Sequence, residues 1–169
     1  MKRNGSPHIR FKSVLGSLFV LSLVLYSAVS YSQSPVNFSG VWIQDTTKSD
    51  DFYKSFNVKY TITQTLQTFT IEQSFADKKG IEIISRDYSF TLDGKVKNME
   101  KGGGIEKEVA QWSADKKILT TRSTREAGNE DVGFTATYSL SDNGLVLTVQ
   151  NSDIIPGALS VRQVFNKKK

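Results

Sequence analysis

The sequence predicts an all-β protein: a single antiparallel up-and-down β-barrel of about eight to ten strands, standing behind an N-terminal secretory signal. Three observations predict it. From Gly40 onward, short apolar and polar residues alternate in runs separated by turn residues. Nowhere does an amphipathic-helix period of about 3.6 residues persist. Residues 1–32 carry the features of a targeting segment, so they are set apart from the fold.

That segment begins with Lys2, Arg3, Arg10 and Lys12, continues through an apolar stretch over residues 14–26, and ends in small side chains at Ser30 and Ser32. Their spacing suits a signal peptidase, and cleavage is expected before Gln33, with a cut at Ser30/Tyr31 as the alternative. A retained membrane anchor is disfavoured, because the apolar stretch falls short of the roughly 20 residues needed to cross a bilayer. Export, to a periplasm or to the medium, is therefore expected, with no stable membrane span after cleavage. The domain assignment is residues 1–32 signal and 33–169 barrel.

Cleavage changes the electrostatics. The whole chain has 22 basic and 17 acidic residues, a formal charge of +5; the segment holds four of the basic residues and no acidic one, leaving 18 against 17 and a charge of +1. The basic excess thus belongs to the targeting segment, and no nucleic-acid partner is expected. Lys167, Lys168 and Lys169 form the remaining basic cluster, read as a solvated tail that stops the last strand from pairing onward.

The strands follow in order. Val58, Tyr60 and Ile62 alternate with Lys59, Thr61 and Thr63, giving one dry face and one wet face, and Phe69, Ile71 and Phe75 repeat the pattern. Tyr88, Phe90 and Leu92 run into Asp93-Gly94, a two-residue hairpin signal whose return strand would cover residues 95–99. Val109 and Trp112, a turn over 113–117, and a strand over 118–123 make another hairpin. Phe134, Ala136, Tyr138 and Leu140 precede the turn Ser141-Asp142-Asn143-Gly144, and Leu145, Leu147 and Val149 return from it. Val161, Gln163 and Phe165 finish the chain.

Apolar parity switches between Ile83 and Ile84, which predicts a β-bulge there. Residues 45–57 fit no strand; a short helix carrying Phe52, Tyr53 and Phe56 and a plain surface loop are both open readings. A meander has two free edges unless it closes, and this favours a barrel over a two-sheet sandwich.

The opening Asn37-Phe38-Ser39-Gly40-Val41-Trp42, with glycine two positions before tryptophan, resembles the start of the calycin group: lipocalins, fatty-acid-binding proteins and avidins. Lys48-Ser49-Asp50, the Leu92 to Lys95 hairpin, Trp112-Ser113, and the Leu140 to Gly144 turn ahead of Leu147-Thr148-Val149 make the chain similar to uncharacterised exported bacterial lipocalin-like proteins. The resemblance implies the barrel. It also implies barrel-end roles for Gly40 and Trp42, and a cation from the last strand, Arg162, over the indole. Arg162 alternates away from Val161 and Phe165, so facing water is the competing reading.

Four arginines follow residue 33, against 14 lysines. Arg86 shares a strand face with Ile84, Tyr88, Phe90 and Leu92; if that face is interior, the guanidinium needs a carboxylate or an anionic ligand. Arg86-Asp87-Tyr88 resembles the Arg-x-Tyr pair that holds a fatty-acid carboxylate in intracellular lipid-binding barrels, although there the pair lies near the chain end. A salt bridge, the barrel rim, or a bulge-shifted outward position is the alternative. Arg86, Tyr88, Phe90, Tyr60 and Tyr138 are accordingly the expected ligand-facing residues, for a hydrophobic or amphiphilic molecule held without covalent chemistry. Whether the interior is hollow, or filled in a structural or protein-binding module, stays open at this stage.

The remaining features argue mostly by exclusion. The chain has no cysteine, and its only histidine, His8, lies in the targeting segment, which removes Ser/His/Asp and Cys/His catalysis, His-rich zinc sites and disulfides from the mature domain. Glu106 and Glu108 share a strand face, and Glu126, Glu130 and Asp131 gather near a turn, but neither group has calcium-loop spacing. Gly102-Gly103-Gly104 lacks the lysine of a phosphate loop. The apolar connection over residues 154–159 reads as packing over a barrel end, or as a rim or contact surface. No enzyme activity, metal or cofactor is expected.

Overall fold

The computed structural model describes residues 34–169 except 52, 53, 129 and 155–159. Residues 1–33, which include the expected targeting segment and His8, together with Phe52, Tyr53 and nearly all of the 154–159 connection, therefore lie outside the described residues.

The described chain is all-β and antiparallel throughout, as the alternation predicts. Ten strands form one sheet: β1 (Gly40–Gln44), β2 (Asn57–Gln64), β3 (Thr68–Ala76), β4 (Glu82–Thr91), β5 (Lys97–Lys101), β6 (Gly104–Trp112), β7 (Ile118–Ala127), β8 (Glu130–Leu140), β9 (Val146–Asp153) and β10 (Ser160–Lys167). The order across the sheet is β4-β3-β2-β1-β10-β9-β8-β7-β6-β5, so every sequential pair is adjacent except β4 and β5, and the first strand meets the last. The ribbon curls on itself. Phe69 of β3 packs on Tyr138 of β8 at 5.1 Å, and Tyr88 of β4 on Phe134 of β8 at 5.5 Å, contacts possible only if the two halves face each other across an interior. Among the described residues no helix is long and apolar enough to cross a membrane.

Closure differs from the expectation. Asp93-Gly94 does make its turn, with Gly94 at φ 71 and the Asp93 carboxylate accepting from Lys95 N. The strands on either side then part, and β5 pairs with β6 instead. Turn chemistry specifies a reversal of direction but not that the flanking strands stay laddered, and here they leave an unladdered seam between β4 and β5. The anticipated bulge is present: Phe75 pairs with Ile84 and Ala76 with Glu82, leaving Ile83 as the extra residue.

One end of the barrel is filled. The segment before β1 crosses it, with Phe38 fully buried and stacked on Trp112 at 5.9 Å. Gln64 clamps this segment: Phe38 N donates to its Oε1, and its Nε2 donates to Val36 O. Trp42 is also fully buried and donates from Nε1 to Phe38 O at 2.9 Å. Phe69, Ile71, Leu119, Leu147, Val149 and Phe165 complete this packing; burying such side chains is worth about 1.5–3 kcal/mol each, so this end anchors the fold.

Gly40 stands at φ +145, and a Cβ there would lie 2.7 Å from Lys167 Cε. The reason is register. Trp42 pairs with Lys167, which carries its ammonium 5.1 Å from the indole centroid. Lys167 therefore supplies the cation that the resemblance assigned to Arg162. Arg162, five residues earlier and of the opposite parity to Lys167, is exposed and pairs with Gln150. The basic tail reading also changes in part, because β10 runs through Lys167.

Residues 45–50 form turns that continue along β10 beyond the end of β1. Asp45 N donates to Val164 O, Asp50 N to Arg162 O, Val164 N to Ser49 Oγ, and Arg162 N to Asp50 Oδ2. Lys48-Ser49-Asp50 thus satisfies the main chain of β10 where its neighbour strand has stopped.

Candidate functional site

The end opposite the Phe38 plug is hollow. Strand alternation aims residues 73 and 75 of β3, 86, 88 and 90 of β4, 134, 136 and 138 of β8, and 151 of β9 inward at this level. They line an inner pocket of about 170 Å³. Its walls include all five residues singled out from the sequence: Arg86, Tyr88, Phe90, Tyr60 and Tyr138. The others that matter are Phe75 and Phe134, which extend the aromatic wall, and Gln73 and Asn151, which make it partly polar.

Above this pocket lies a wider cavity of about 1010 Å³, which shares Arg86, Tyr88 and Phe134 with it, so the two form one funnel. The lip of the wide part is the β5–β6 hairpin. Gly102 and Gly103 both have positive φ, +60 and +82, the two-residue hairpin geometry that glycine adopts without steric cost. Within that triple glycine, residues 102 and 103 therefore make a tight turn at the cavity mouth. Beside it on the next strand stand Arg125, the register partner of Glu106, with Glu126 and Ala127 at the end of β7.

Charges around the mouth are partly paired. Lys101 holds Glu106 at 3.3 Å and lies 5.8 Å from the centroid of Tyr88, so one side chain of β5 reaches across the seam to β4. Lys107 holds Glu126 at 2.9 Å. This pair raises the Lys107 ammonium and lowers the Glu126 carboxyl, chiefly through the hydrogen bond between them. Among the described residues no carboxylate lies within 4 Å of either Arg86 or Arg125. Arg86 is exposed toward the funnel, so of the three alternatives for it the salt bridge is not formed.

Two polar arrangements escaped the sequence reading. Gln163 is fully buried, and its Oε1 accepts from Tyr60 Oη at 3.0 Å and from Asn151 Nδ2 at 2.9 Å, while Nε2 has no partner among the described residues. Both donors belong to pocket-lining residues. On the other wall, Glu106 and Glu108 indeed share one face, but it is the inner one. Glu106 accepts from Ser123 Oγ, and Glu108 is 4% exposed with Oε2 unpartnered among the described residues. Burial, and then the neighbouring Glu106, push the Glu108 carboxyl above its ordinary range. The signal available in advance was the run Glu106-Lys107-Glu108, whose alternation does not say which charge type faces inward. Tyr138, fully buried, has its phenol pushed far up by desolvation. Among the described residues no group of three or more His, Cys, Asp or Glu is placed to hold a metal ion.

A likeness to solved structures accompanies this geometry. It is one of fold. A secretory abundant heat soluble protein from Ramazzottius varieornatus superposes with a TM-score of 0.50 at 9% identity, covering 77% of this chain and 94% of that one. Zebrafish ileal bile acid-binding protein, solved with cholic acid, gives 0.48 at 16% identity, covering 78% and 98%. No protein-family model and no curated protein matches the sequence. With identities this low, the likeness is one of fold alone, and the chemistry of the funnel must be argued from its own residues.

Proposed function

We propose that this chain is an exported binding protein that holds an amphiphilic small molecule non-covalently in the hollow half of its barrel. The observation carrying this reading is the convergence of Arg86, Tyr88, Phe90, Tyr60 and Tyr138 on one inner pocket that opens into a larger cavity. Aromatic rings supply contact area for an apolar part, and Arg86, with no carboxylate partner among the described residues, supplies charge for a polar end. Binding rather than catalysis fits a chain without cysteine whose only histidine lies at position 8. A filled interaction module, the alternative class, calls for a packed interior, and the funnel argues against it.

The test uses 1-anilinonaphthalene-8-sulfonate, an aryl anion whose emission rises on transfer to an apolar site. The purified protein is expected to bind it saturably. Ala136→Leu, which intrudes on the inner pocket, and Arg86→Gln are each expected to weaken binding while leaving the β-sheet circular dichroism unchanged. Equal binding by all three proteins would remove the pocket from consideration.

A further inference from the structure

The lining of the inner pocket comes from β2, β3 and β4 on one side and from β8 and β9 on the other. Between β2 and β9 in the sheet stand β1 and β10. β1 stops at Gln44, which pairs with Phe165, so nearer the open end β10 closes this stretch of wall, its free edge bonded to residues 45–50. The inward residue that β10 offers there is Gln163.

Its carboxamide bridges the two sides. Oε1 accepts from Tyr60 Oη on β2 at 3.0 Å and from Asn151 Nδ2 on β9 at 2.9 Å, and both donors belong to the pocket lining. An amide oxygen has two lone pairs, so these bonds saturate it. The amide nitrogen carries two N–H donors and has a partner for neither among the described residues, although Gln163 is fully buried. Covalent geometry holds Nε2 about 2.3 Å from Oε1, and hence no farther than about 5 Å from either lining atom. Asn151 is only half-buried, so its side chain can turn and let a ligand atom reach the amide.

A buried donor left unpaired is rare and costly. A hydrocarbon tip placed beside Gln163 would seal that cost in, whereas an oxygen acceptor would remove it. The pocket, about 170 Å³, has room for about one ring, since a cavity of about 150 Å³ takes up benzene.

We propose that the end of the ligand that goes deepest is polar: a carbonyl or hydroxyl oxygen that accepts from Gln163 Nε2, carried on a body of about one ring held among Tyr60, Tyr88, Phe90 and Phe134. This rests on the reading of the funnel as the binding site, and it adds Gln163 as a specificity residue. A guest that enters with a bare alkyl end foremost is the wrong class.

Acetophenone and ethylbenzene test this, because each has one ring and a two-carbon substituent and they differ by a carbonyl oxygen. Both are titrated into wild type and into Gln163→Met, with displacement of the anilinonaphthalene probe as the readout. The variant keeps the length of the side chain and loses its donors. The ratio of acetophenone to ethylbenzene affinity is expected to fall about fivefold or more in Gln163→Met. The unequal hydration of the two probes is common to both proteins and cancels from that comparison. Because the substitution also takes an acceptor from Tyr60 and Asn151, a second measurement uses wild type alone. The side-chain amide proton signals of Gln163 in a nitrogen-15 spectrum are expected to move downfield with acetophenone and to stay in place with ethylbenzene.

An affinity ratio unchanged by Gln163→Met would overturn the inference and leave the proposed function standing. So would amide signals that respond alike to both bound probes, or to neither, since the nitrogen would then serve the fold and not the ligand. If the anilinonaphthalene probe itself fails to bind, the proposed function falls and the inference goes with it.

Discussion

The phenol of Tyr60 donates to Oε1 of Gln163 across 3.0 Å, between two side chains that are almost wholly withdrawn from solvent. The bond ties β2 to β10 across the interior of the barrel, just behind the inner pocket. Tyr60→Phe keeps the ring and its packing on Phe165, at 4.4 Å, and leaves Gln163 with Asn151 as the donor to that oxygen. A loss of about 1 kcal/mol is expected in urea unfolding. An unchanged midpoint and slope would mean that the bond contributes nothing to the fold.

Gly133 should tolerate no side chain. A Cβ built on it falls 2.0 Å from the carbonyl oxygen of Ser123, on the strand beside it, and backbone cannot move aside as a side-chain tip can. Gly133→Ala is expected to destabilise by about 3 kcal/mol or more, or to prevent accumulation of folded protein, where an ordinary strand glycine would gain from the change. Thermal melts of the variant beside wild type decide it.

Ser49 takes a backbone duty from outside the sheet. Its Oγ accepts from Val164 N at 3.0 Å and donates to Asp45 O at 2.8 Å. Ser49→Ala leaves the N–H of a buried residue without that acceptor, an expected cost of about 1–3 kcal/mol. Faster amide exchange confined to β10 near Val164 would locate the effect; a variant that melts like wild type would show that water replaces the hydroxyl.

Stability should fall on the alkaline side because of Glu108. Its folded-state carboxyl is raised, so the folded state binds the proton more tightly than the unfolded chain does. That contribution is complete below the ordinary glutamate range and is lost as pH rises through the raised value, where a charge must be carried in a buried wall beside Glu106. Glu108→Gln removes the liability. It is expected to be more stable than wild type at neutral pH, with the gap closing as the medium is acidified, as urea titrations at several pH values would measure. A gap that widens on acidification would reverse the sign and refute the assignment. Asp45 acts in the opposite sense: hydrogen bonds from Thr47 and then Lys48 hold its carboxyl far below the usual range, so its contribution disappears only in strong acid.

Much of this architecture could be read from side-chain type alone, and the residues show why. A strand with one dry face writes its own orientation, so Val58, Tyr60 and Ile62 were assignable, and the parity break at Ile83 was enough to locate a bulge. Arg86, Tyr88 and Phe90 could be placed on one wall for the same reason. Partner choice is written less locally. Asp93-Gly94 encodes a turn, but the separation of β4 from β5 depends on where the whole ribbon meets itself. Glu108 was illegible because Glu106-Lys107-Glu108 offers charge on both faces. Arg125 gave no sign of its place, since it comes to line the same cavity as Arg86 only once strands four and seven stand on that cavity. Lys167 was hidden by the assumption that the strand ended before the lysine cluster.

The missing ladder between β4 and β5 has a mechanical consequence. Among the described residues nine runs of main-chain bonds stitch the ten strands, and along the remaining side the Lys101 ammonium reaches across to the Tyr88 ring. A wall fastened in that way can change its girth by re-seating a few flexible side chains, with every stitched pair intact. The open end can then adjust its width at little energetic cost, while the plugged end behind it keeps its shape.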